Sequence, residues 1–411
     1  MERTVFTNAN LVDGLHPAKP ASTVIIQGER ITSVGTGTVT DLVVGDRVID
    51  LGGRTLMPGM ITCHFHATYK DLGTTPAPYG LERPPAYQAV LAAKNLELAL
   101  QSGFTGAVSA GAPFDIDPSI KQAISDGLIP GPRFMAGSRD VSTTGHANDN
   151  FPWYYEMTAL GNVRRCDGPD EFRKAVREEI KRGAEIIKLF VTGGHGVFAP
   201  KELMEMTEAE LRSAVETAHE RGRLIRGHIV SKRAILMAVD AGIDVIDHGD
   251  EMDAECIERI VEAGTFVAPS VFFPTAFLQQ MGTGLGFTAS MKAELDQALA
   301  VLPEANAAGV KLVVGDDYGA MGFDHGRYAE ELEVYVRDAG IPPLEVLRWA
   351  TINGAELMQM GDQLGTVEEG KLADLLVVDG DPLEDITVLQ DRRRLVAIIK
   401  DGEFVKDALA S

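Results

Sequence analysis

The pattern of hydrophobic and polar residues differs between the two ends of the chain and its middle. Residues 1–57 contain short segments, such as "TVFTNANLVDG" and "STVIIQGERITSVG", in which apolar and polar residues alternate before Gly, Asp or Asn. This pattern favours β-strands separated by turns. Residues 360–411 return to it with "LADLLVVDGD" and "RLVAIIKDGEFVKD". Because either end alone offers too few strands to bury a core, we expect both ends to form one small β-sandwich domain.

Residues 58–359 have a different pattern, in which a helical stretch leads into a short apolar run and then a polar or Gly-rich loop. Examples are "PDEFRKAVREEIKRGAEIIKLFVTGG" and "SKRAILMAVDAGIDVIDHGDE". The helices show i, i+3, i+4 apolar spacing and end at Gly, and continuous apolar strands are typical of a covered parallel sheet. About 300 residues of such units favour an α/β fold with a (β/α)₈ TIM barrel. We expect one long loop, between Ser138 and Arg165, to interrupt it.

Composition narrows the functional classes. The 411 residues carry a formal net charge of −22, which argues against nucleic acid or an anionic membrane as a partner. The three cysteines are widely spaced, which suits a reducing compartment. The N-terminal segment has neither the pattern of a secretion signal nor a run of about twenty apolar residues. We therefore expect a cytoplasmic enzyme or binding protein without a membrane segment.

Candidate metal ligands stand at the ends of the predicted barrel strands. His64 and His66 follow "GMIT", and side chains at i and i+2 of a strand point the same way. The other strands contribute residues at equivalent places: Lys188 in "EIIKLFV", His228 after "LIRG", His248 after "DVID" and Asp317 after "KLVVGD". Because barrel enzymes carry their reactive groups at the C-terminal ends of strands, this set predicts a metal centre.

The same segments resemble the amidohydrolase superfamily, in particular its imidazolonepropionase-like branch of Xaa-Pro dipeptidases and aryl-amide-cleaving amidases. The matching motifs extend over most of the chain: "PGMITCHFHA", "GAEIIKLFVTGG", "GHIVS", "VIDHGDE", "GVKLVVGDDYG" and "ATINGAELMQMGDQLGTVEEGKLADLLVVDGDPLED". The last of these is the most specific to this branch.

The resemblance implies a binuclear site. In it His64 and His66 hold the more buried ion, His228 and His248 the more exposed one, and a CO₂-derived carbamate on Lys188 bridges both. Asp317 would bind the buried ion and act as catalytic acid and base. Zinc suits the histidine-rich ligands, and Mn, Co or Fe remain alternatives. The implied reaction is hydrolysis of a C–N amide bond, in an N-acyl amino acid, aryl amide, carbamate or dipeptide-like substrate, by metal-activated hydroxide.

Substrate contacts are expected from residues on the loops after the strands: His146, His195, Tyr318 and His325. Aromatic residues on these loops suggest a small-molecule amide with an apolar or aromatic portion. The sequence leaves a homo-oligomer open.

Two departures from the family pattern keep alternatives open. Relatives usually have an Arg-Asp pair after "GFT", whereas "GAVSAGA" follows Thr105 here. Dipeptide-cleaving relatives often have Tyr or His where this chain has Ile229. These departures weaken the assignment as an Xaa-Pro dipeptidase, which stays as an alternative. A cyclic-amide hydrolase or deaminase is also an alternative, although deaminating relatives usually lack the bridging lysine. A non-catalytic binding protein on the same fold is disfavoured because all six predicted ligand positions keep competent side chains.

Overall fold

The computed structural model describes residues 3–37, 42–72, 74, 80–145, 149, 154, 161, 163–197, 199–284 and 286–409. Its strands are β1 (Arg3–Leu11), β2 (Lys19–Gln27), β3 (Arg30–Thr36), β4 (Arg47–Asp50), β5 (Thr55–Pro58), β6 (Met60–Phe65), β7 (Phe104–Ser109), β8 (Arg133–Met135), β9 (Gly137–Ser142), β10 (Val163–Arg165), β11 (Ile186–Phe190), β12 (Leu224–Ile229), β13 (Val245–His248), β14 (Phe266–Ala268), β15 (Lys311–Leu312), β16 (Leu375–Val378), β17 (Leu395–Lys400) and β18 (Glu403–Asp407).

The α-helices are α1 (Pro85–Gln101), α2 (Ile116–Ser125), α3 (Pro169–Arg182), α4 (Glu208–His219), α5 (Lys232–Ala241), α6 (Ala254–Ala263), α7 (Phe272–Met281), α8 (Gly286–Ala308), α9 (Glu330–Arg337), α10 (Pro343–Arg348) and α11 (Gly354–Leu357). A π-helical turn, Trp349–Asn353, joins α10 to α11, and a 3₁₀ turn spans Ile386–Leu389. Helices α3, α5 and α6 each end at a left-handed glycine, as the sequence predicts.

One sheet contains strands from both parts of the chain that have the alternating pattern. Its order is β18-β17-β16-β5-β1-β2-β3, and β4 pairs with β1. Strand β16 joins the two parts, because it pairs antiparallel with β5 on one side and with β17 on the other. Its side chains alternate between two cores: Leu375 and Val377 pack against Phe6, while Leu376 and Val378 belong to the larger core. The β-sandwich and the domain limits at residues 57 and 360 stay predictions.

The remaining strands are parallel and alternate with helices, which confirms the α/β class. They form two sheets, ordered β6-β7-β8 and β10-β9-β11-β12-β13-β14-β15. The two sheets adjoin at both margins. Only Ala136 separates β8 from β9 along the chain, and the Cys63 amide in β6 donates to the Val314 carbonyl just after β15 at 2.6 Å.

The segment from Ser138 to Arg165 is only partly the loop that the sequence suggests. Residues Gly137–Ser142 form the fully buried strand β9, and Val163–Arg165 form β10. The polar residues of β9 suggested an exposed loop, but their side chains are paired inside the protein. Arg139 pairs with Glu179, and Ser142 pairs with Glu205. Among the described residues, no helix is long and apolar enough to cross a bilayer.

Candidate functional site

The side chains predicted as ligands gather at one edge of the parallel strands. His64 lies near the end of β6, His228 near the end of β12 and His248 at the end of β13. The ring centroids of His64 and His66 are 5.3 Å apart, those of His64 and His248 are 5.2 Å apart, and those of His228 and His248 are 4.5 Å apart. Residues that are up to 184 positions apart in the chain thus share one site, because parallel strands end at the same edge.

The tightest cluster consists of His64, His66 and Asp317. Asp317 Oδ1 lies 3.2 Å from His64 Nε2 and 3.3 Å from His66 Nε2. One ligand atom from each of the three residues lies within 4.8 Å of the others. The two histidine side chains are 1% and 3% exposed, whereas Asp317 is 20% exposed and therefore reaches the open side of the cluster.

Hydrogen bonds from the other ring nitrogens fix the orientation of both histidines. His66 Nδ1 donates to the Gly111 carbonyl at 2.8 Å. Ser270 Oγ, which donates to the Gly315 carbonyl at 3.0 Å, accepts from His64 Nδ1 at 3.2 Å. Because each Nδ1 carries a hydrogen, each Nε2 is the atom that faces the cluster. There His64 Nε2 lies within hydrogen-bond distance of Asp317 Oδ1 (3.2 Å), and either Nε2 can present a lone pair to an ion. Metal-binding histidines are oriented in this way.

Lys188 lies beside the cluster and contacts a carboxylate that the sequence analysis did not identify. Its Nζ donates to Asp247 Oδ2 at 2.6 Å, and Asp247 Oδ1 lies 3.4 Å from His64 Nδ1. Arg226, which is fully buried, donates to both Asp247 oxygens and to the Cys63 and Ser109 carbonyls. The sequence does contain a sign of this ion pair, because a charged residue interrupts each of the apolar runs "LIRGH" and "VIDH".

His228 and His248 form the other side of the site. His228 Nε2 donates to the Gly194 carbonyl at 3.0 Å, so its Nδ1 keeps a lone pair. His248 has a left-handed backbone (φ 76°), and its buried Nδ1 has no hydrogen-bond partner within the described part of the chain. A buried ring nitrogen without a partner is costly, which is consistent with a ligand or ion completing this side.

The electrostatics favour neutral imidazoles at His66, His228 and His248 and an ionised carboxylate at Asp317, the forms that bind metal ions. Burial alone would lower the pKa of His64, but Asp247 and Asp317 beside it raise that pKa. Burial lowers the pKa of His66 to about 4 and that of His228 to about 3. Burial and the neighbouring His195 also hold the pKa of His248 well below its usual range. Burial alone would raise the pKa of Asp317, but the two histidines beside it hold that pKa well below its usual value.

The donor set fits divalent cations. Imidazole nitrogens and a carboxylate oxygen converge with their lone pairs directed inward, which is the chemistry that zinc and related ions select. The Lys188 ammonium cannot bind a cation itself, and a carbamate on its nitrogen would supply the missing anionic oxygens. A His64/His66/Asp317 group with these properties supports the prediction of metal binding.

The residues predicted to contact substrate lie in different surroundings. The His195 ring stacks on His248 at 3.8 Å, next to the predicted ligands. The Tyr318 hydroxyl is buried and donates to Glu331 Oε2 (3.2 Å), which indicates a packing role. His325 Nδ1 lies 3.0 Å from the Tyr328 hydroxyl, and its ring lies 5.2 Å from Phe65. His146 lies outside the described residues. Substrate binding by all four stays a prediction.

Comparison with known proteins identifies the family. The model of the amidohydrolase family matches residues 55–405. The chain belongs to the amidohydrolase family. Ochratoxinase from Aspergillus niger is 30% identical over 376 residues, which cover 85% of this chain and 75% of the relative.

Solved structures agree with this assignment. A Xaa-Pro dipeptidase with methionine in its active site has a TM-score of 0.87 and 28% identity, covering 98% of this chain and all of the other. A prolidase complexed with N-methylphosphonate-L-proline has the same TM-score and coverage at 32% identity. This amidohydrolase is therefore a hydrolase that acts on carbon–nitrogen bonds, as the sequence predicts, and an α/β barrel-like domain is the fold of its relatives.

Two small residues, Gly106 and Ala107, stand where relatives have the Arg-Asp pair, and both are buried in this amidohydrolase. Gly106, the first residue after Thr105, packs so closely that a Cβ atom would lie 2.9 Å from Ile61 and 3.0 Å from the Met358 sulfur. Ala107, the second, is fully buried. A side chain at Gly106 would therefore require Ile61 or Met358 to move, and apolar packing surrounds this part of β7.

Proposed function

We propose that this amidohydrolase uses two divalent metal ions to hydrolyse the amide bond of a small-molecule substrate. The observation that carries the proposal is the convergence of five predicted ligands around His64: its ring neighbours His66 and His248, the Asp317 carboxylate, and His228 and Lys188 beside them. When bound, the ions would lower the pKa of a shared water toward 7 and polarise the substrate carbonyl.

The ligands would divide between the two ions as the family resemblance implies. His64, His66 and Asp317 would hold the first, and His228 and His248 the second. Lys188, carboxylated on its amine, would bridge them, with Asp247 accepting from the nitrogen. Zinc is the preferred occupant, and Mn, Co or Fe fit the same donors.

Asp317 would transfer the proton in both chemical steps. Its carboxylate is ionised and partly exposed, so it can accept a proton from the attacking water. The protonated form would then donate that proton to the departing nitrogen, since the exposed side of Asp317 is where substrate can approach. The buried histidines beside it would stay neutral and hold the ions.

The proposal includes the architecture that positions these residues. We propose that the two parallel sheets close into one (β/α)₈ barrel, with β8 and β9 as a single strand interrupted at Ala136. The bond between the Cys63 amide and the Val314 carbonyl supports closure between β6 and β15. The sheet that combines β1–β5 with β16–β18 would belong to the β-sandwich domain.

The preferred substrates are N-acyl amino acids, aryl amides, carbamates and dipeptide-like amides with an apolar or aromatic part. Similarity to ochratoxinase and to Xaa-Pro dipeptidases supports this range. An Xaa-Pro dipeptidase is the second candidate, which the similarity to a prolidase favours and Ile229 disfavours. Location in the cytoplasm and self-association stay predictions.

Metal removal and reloading test the proposal. The protein is stripped with a chelator, reloaded with Zn, Mn or Co, and supplied with one representative of each substrate class. We expect two ions per chain, activity that returns with metal, and one bound ion in Lys188→Ala. Lys201→Ala, which changes a lysine between Glu251 and Glu294, is the matched control and should keep two. A chain that binds no ions and hydrolyses none of these amides would overturn the proposal.

A further inference from the structure

A partly enclosed pocket lies beside the predicted metal ligands, between the end of β14 and helices α7 and α8. Seven of the eleven residues that line it carry apolar side chains, among them Phe273, Met291, Leu295 and Ala298. The cavity volume of the pocket is about 40 Å³. A single water needs about 10–15 Å³ on this measure, so the space accepts a group of about three or four heavy atoms.

Two buried polar residues form the opposite wall. His195 Nδ1 donates to the Asp250 carboxylate, with distances of 3.0 and 3.2 Å to its two oxygens. The two side chains are only 7% and 5% exposed. His195 Nε2 is buried and has no hydrogen-bond partner within the part of the chain that the structure describes. Since buried polar atoms are normally paired, a ligand atom is expected at this nitrogen.

The position of the His195 ring is fixed from three directions. Its backbone has φ 44°, a left-handed conformation that is unfavourable for a residue with a Cβ. Asp250 holds one edge of the ring, and the face of the ring stacks on His248 with an interplanar angle of 20°. Strained residues persist where the surrounding structure fixes them, and they concentrate at ligand sites.

The charged residues at the pocket are already paired. Asp250 and Glu294 are both among the residues that line it. Lys201 lies 3.1 Å from Glu294 and also 3.1 Å from Glu251, so its ammonium is shared between two carboxylates. Asp250 is likewise paired with His195, so the remaining lining of the pocket is mainly apolar and favours an uncharged group.

We infer that this pocket is a specificity subsite that takes an uncharged, leucine-sized apolar group of the substrate, while His195 Nε2 hydrogen-bonds an adjacent amide or hydroxyl of the same molecule. The inference rests on the proposed function, because it places the pocket next to the reacting bond. Asp250 is a positioning residue, since it acts through the His195 ring. Met291, from α8, is one of the apolar residues that line the pocket.

Binding can be measured separately from hydrolysis. N-acetyl-leucinamide and N-acetylglycinamide are titrated calorimetrically into the metal-loaded Asp317→Asn protein, and hydrolysis of both is measured with the unmodified enzyme. Burial of the isobutyl group should give the leucine compound about tenfold tighter binding. Met291→Trp fills the pocket and should abolish that preference. The control, Met281→Trp, changes a half-exposed residue of α7 outside the pocket and should keep it.

The outcomes separate the two proposals. A leucine preference that Met291→Trp removes, without hydrolysis of either amide, supports the subsite and contradicts the proposed function. Hydrolysis without any leucine preference supports the function and overturns the subsite. Should Met291→Trp fail to fold, Met291→Ala enlarges the same space and should shift the preference toward N-acetyl-phenylalaninamide; an unchanged order of ligands would overturn the inference.

The hydrogen bond has its own test. Asp250→Asn should raise KM for the leucine compound about tenfold with a smaller change in kcat, since it loosens the ring that binds substrate. Asp250→Glu, which keeps a carboxylate, should restore part of the loss. Equal effects of both variants on kcat alone, at unchanged KM, would contradict the assigned role.

Discussion

The Nζ atom of Lys188 lies 2.6 Å from Oδ2 of Asp247, and both side chains are almost completely buried. Asp247 also pairs with Arg226 and lies near His64, so one carboxylate links two cationic side chains to a predicted ligand. Burial alone would raise the pKa of Asp247, but Arg226 and Lys188 hold it well below its usual range. Asp247 is therefore an anion that determines where the Lys188 nitrogen lies.

Asp247→Asn should destabilise the protein strongly and reduce metal binding. It leaves Arg226 buried without its anionic partner, and breaking a buried ion pair in this way costs about 3–5 kcal/mol. Urea unfolding and metal analysis measure the two effects. Asp240→Asn, which breaks a half-exposed pair with Arg259, should cost less than about 1 kcal/mol. Similar losses in both variants would show that the buried pair has no special role.

Asp317→Asn should abolish turnover while both ions remain largely bound. The amide can still offer an oxygen to an ion but cannot accept and return a proton, so kcat should fall by at least about 10²-fold. Single-turnover assays and metal analysis of the same sample provide the check. Asp324→Asn, which changes an exposed carboxylate seven residues away, should retain normal activity. Persistent turnover in Asp317→Asn would remove the proton-transfer role.

Gly315→Ala should disturb His64 without changing any ligand. A Cβ at this position would lie 2.2 Å from the His64 amide nitrogen, and φ is 141°. We expect lower stability and loss of metal. Gly309→Ala is matched, because φ is 89° and nothing lies within 4 Å of its Cβ. That control should show only the backbone strain of about 1–2 kcal/mol, with metal content unchanged. Equal metal content in both variants would contradict the predicted displacement.

The pH dependence of stability should report the buried carboxyl of Asp117. Burial raises its pKa from 3.8 to about 7, so the folded protein keeps this proton where the unfolded chain has lost it. Its contribution to stability is full below pH 3.8 and is lost as pH rises through 7, at up to about 1.4 kcal/mol per pH unit. Asp117→Asn should therefore become more stable relative to wild type between pH 4 and 8. Urea unfolding of Asp117→Asn and wild type at several pH values between 4 and 8 measures this difference.

The sequence predicted the positions of residues that depend only on the local pattern of strands and helices. Residues that close apolar runs lie at strand ends, so the edge shared by His64, His228 and His248 followed from the order of elements alone. The glycines that end α3, α5 and α6 were predictable for the same reason, since each ends a helical pattern directly before a strand.

Pairing between distant residues could not be derived in the same way. Whether Arg226 faces Asp247 depends on the register of β12 against β13, which pairs Arg226 with Val245 and His228 with Asp247. The contact between His195 and Asp250 joins two loops separated by 55 positions. Strand β9 was missed because sequence cannot show that buried partners will satisfy its polar side chains.

The late position of strand β16 in the chain leaves one edge of β5 unpaired while the protein is being synthesised. Strands β1 to β5 are translated first, yet the neighbour of β5 in the sheet, residues 375–378, emerges more than 300 residues later. Until then the backbone groups along that side of β5 have no partner strand, and an open strand edge of this kind invites pairing with other nascent chains. Chaperone protection during translation would therefore matter most for this early segment.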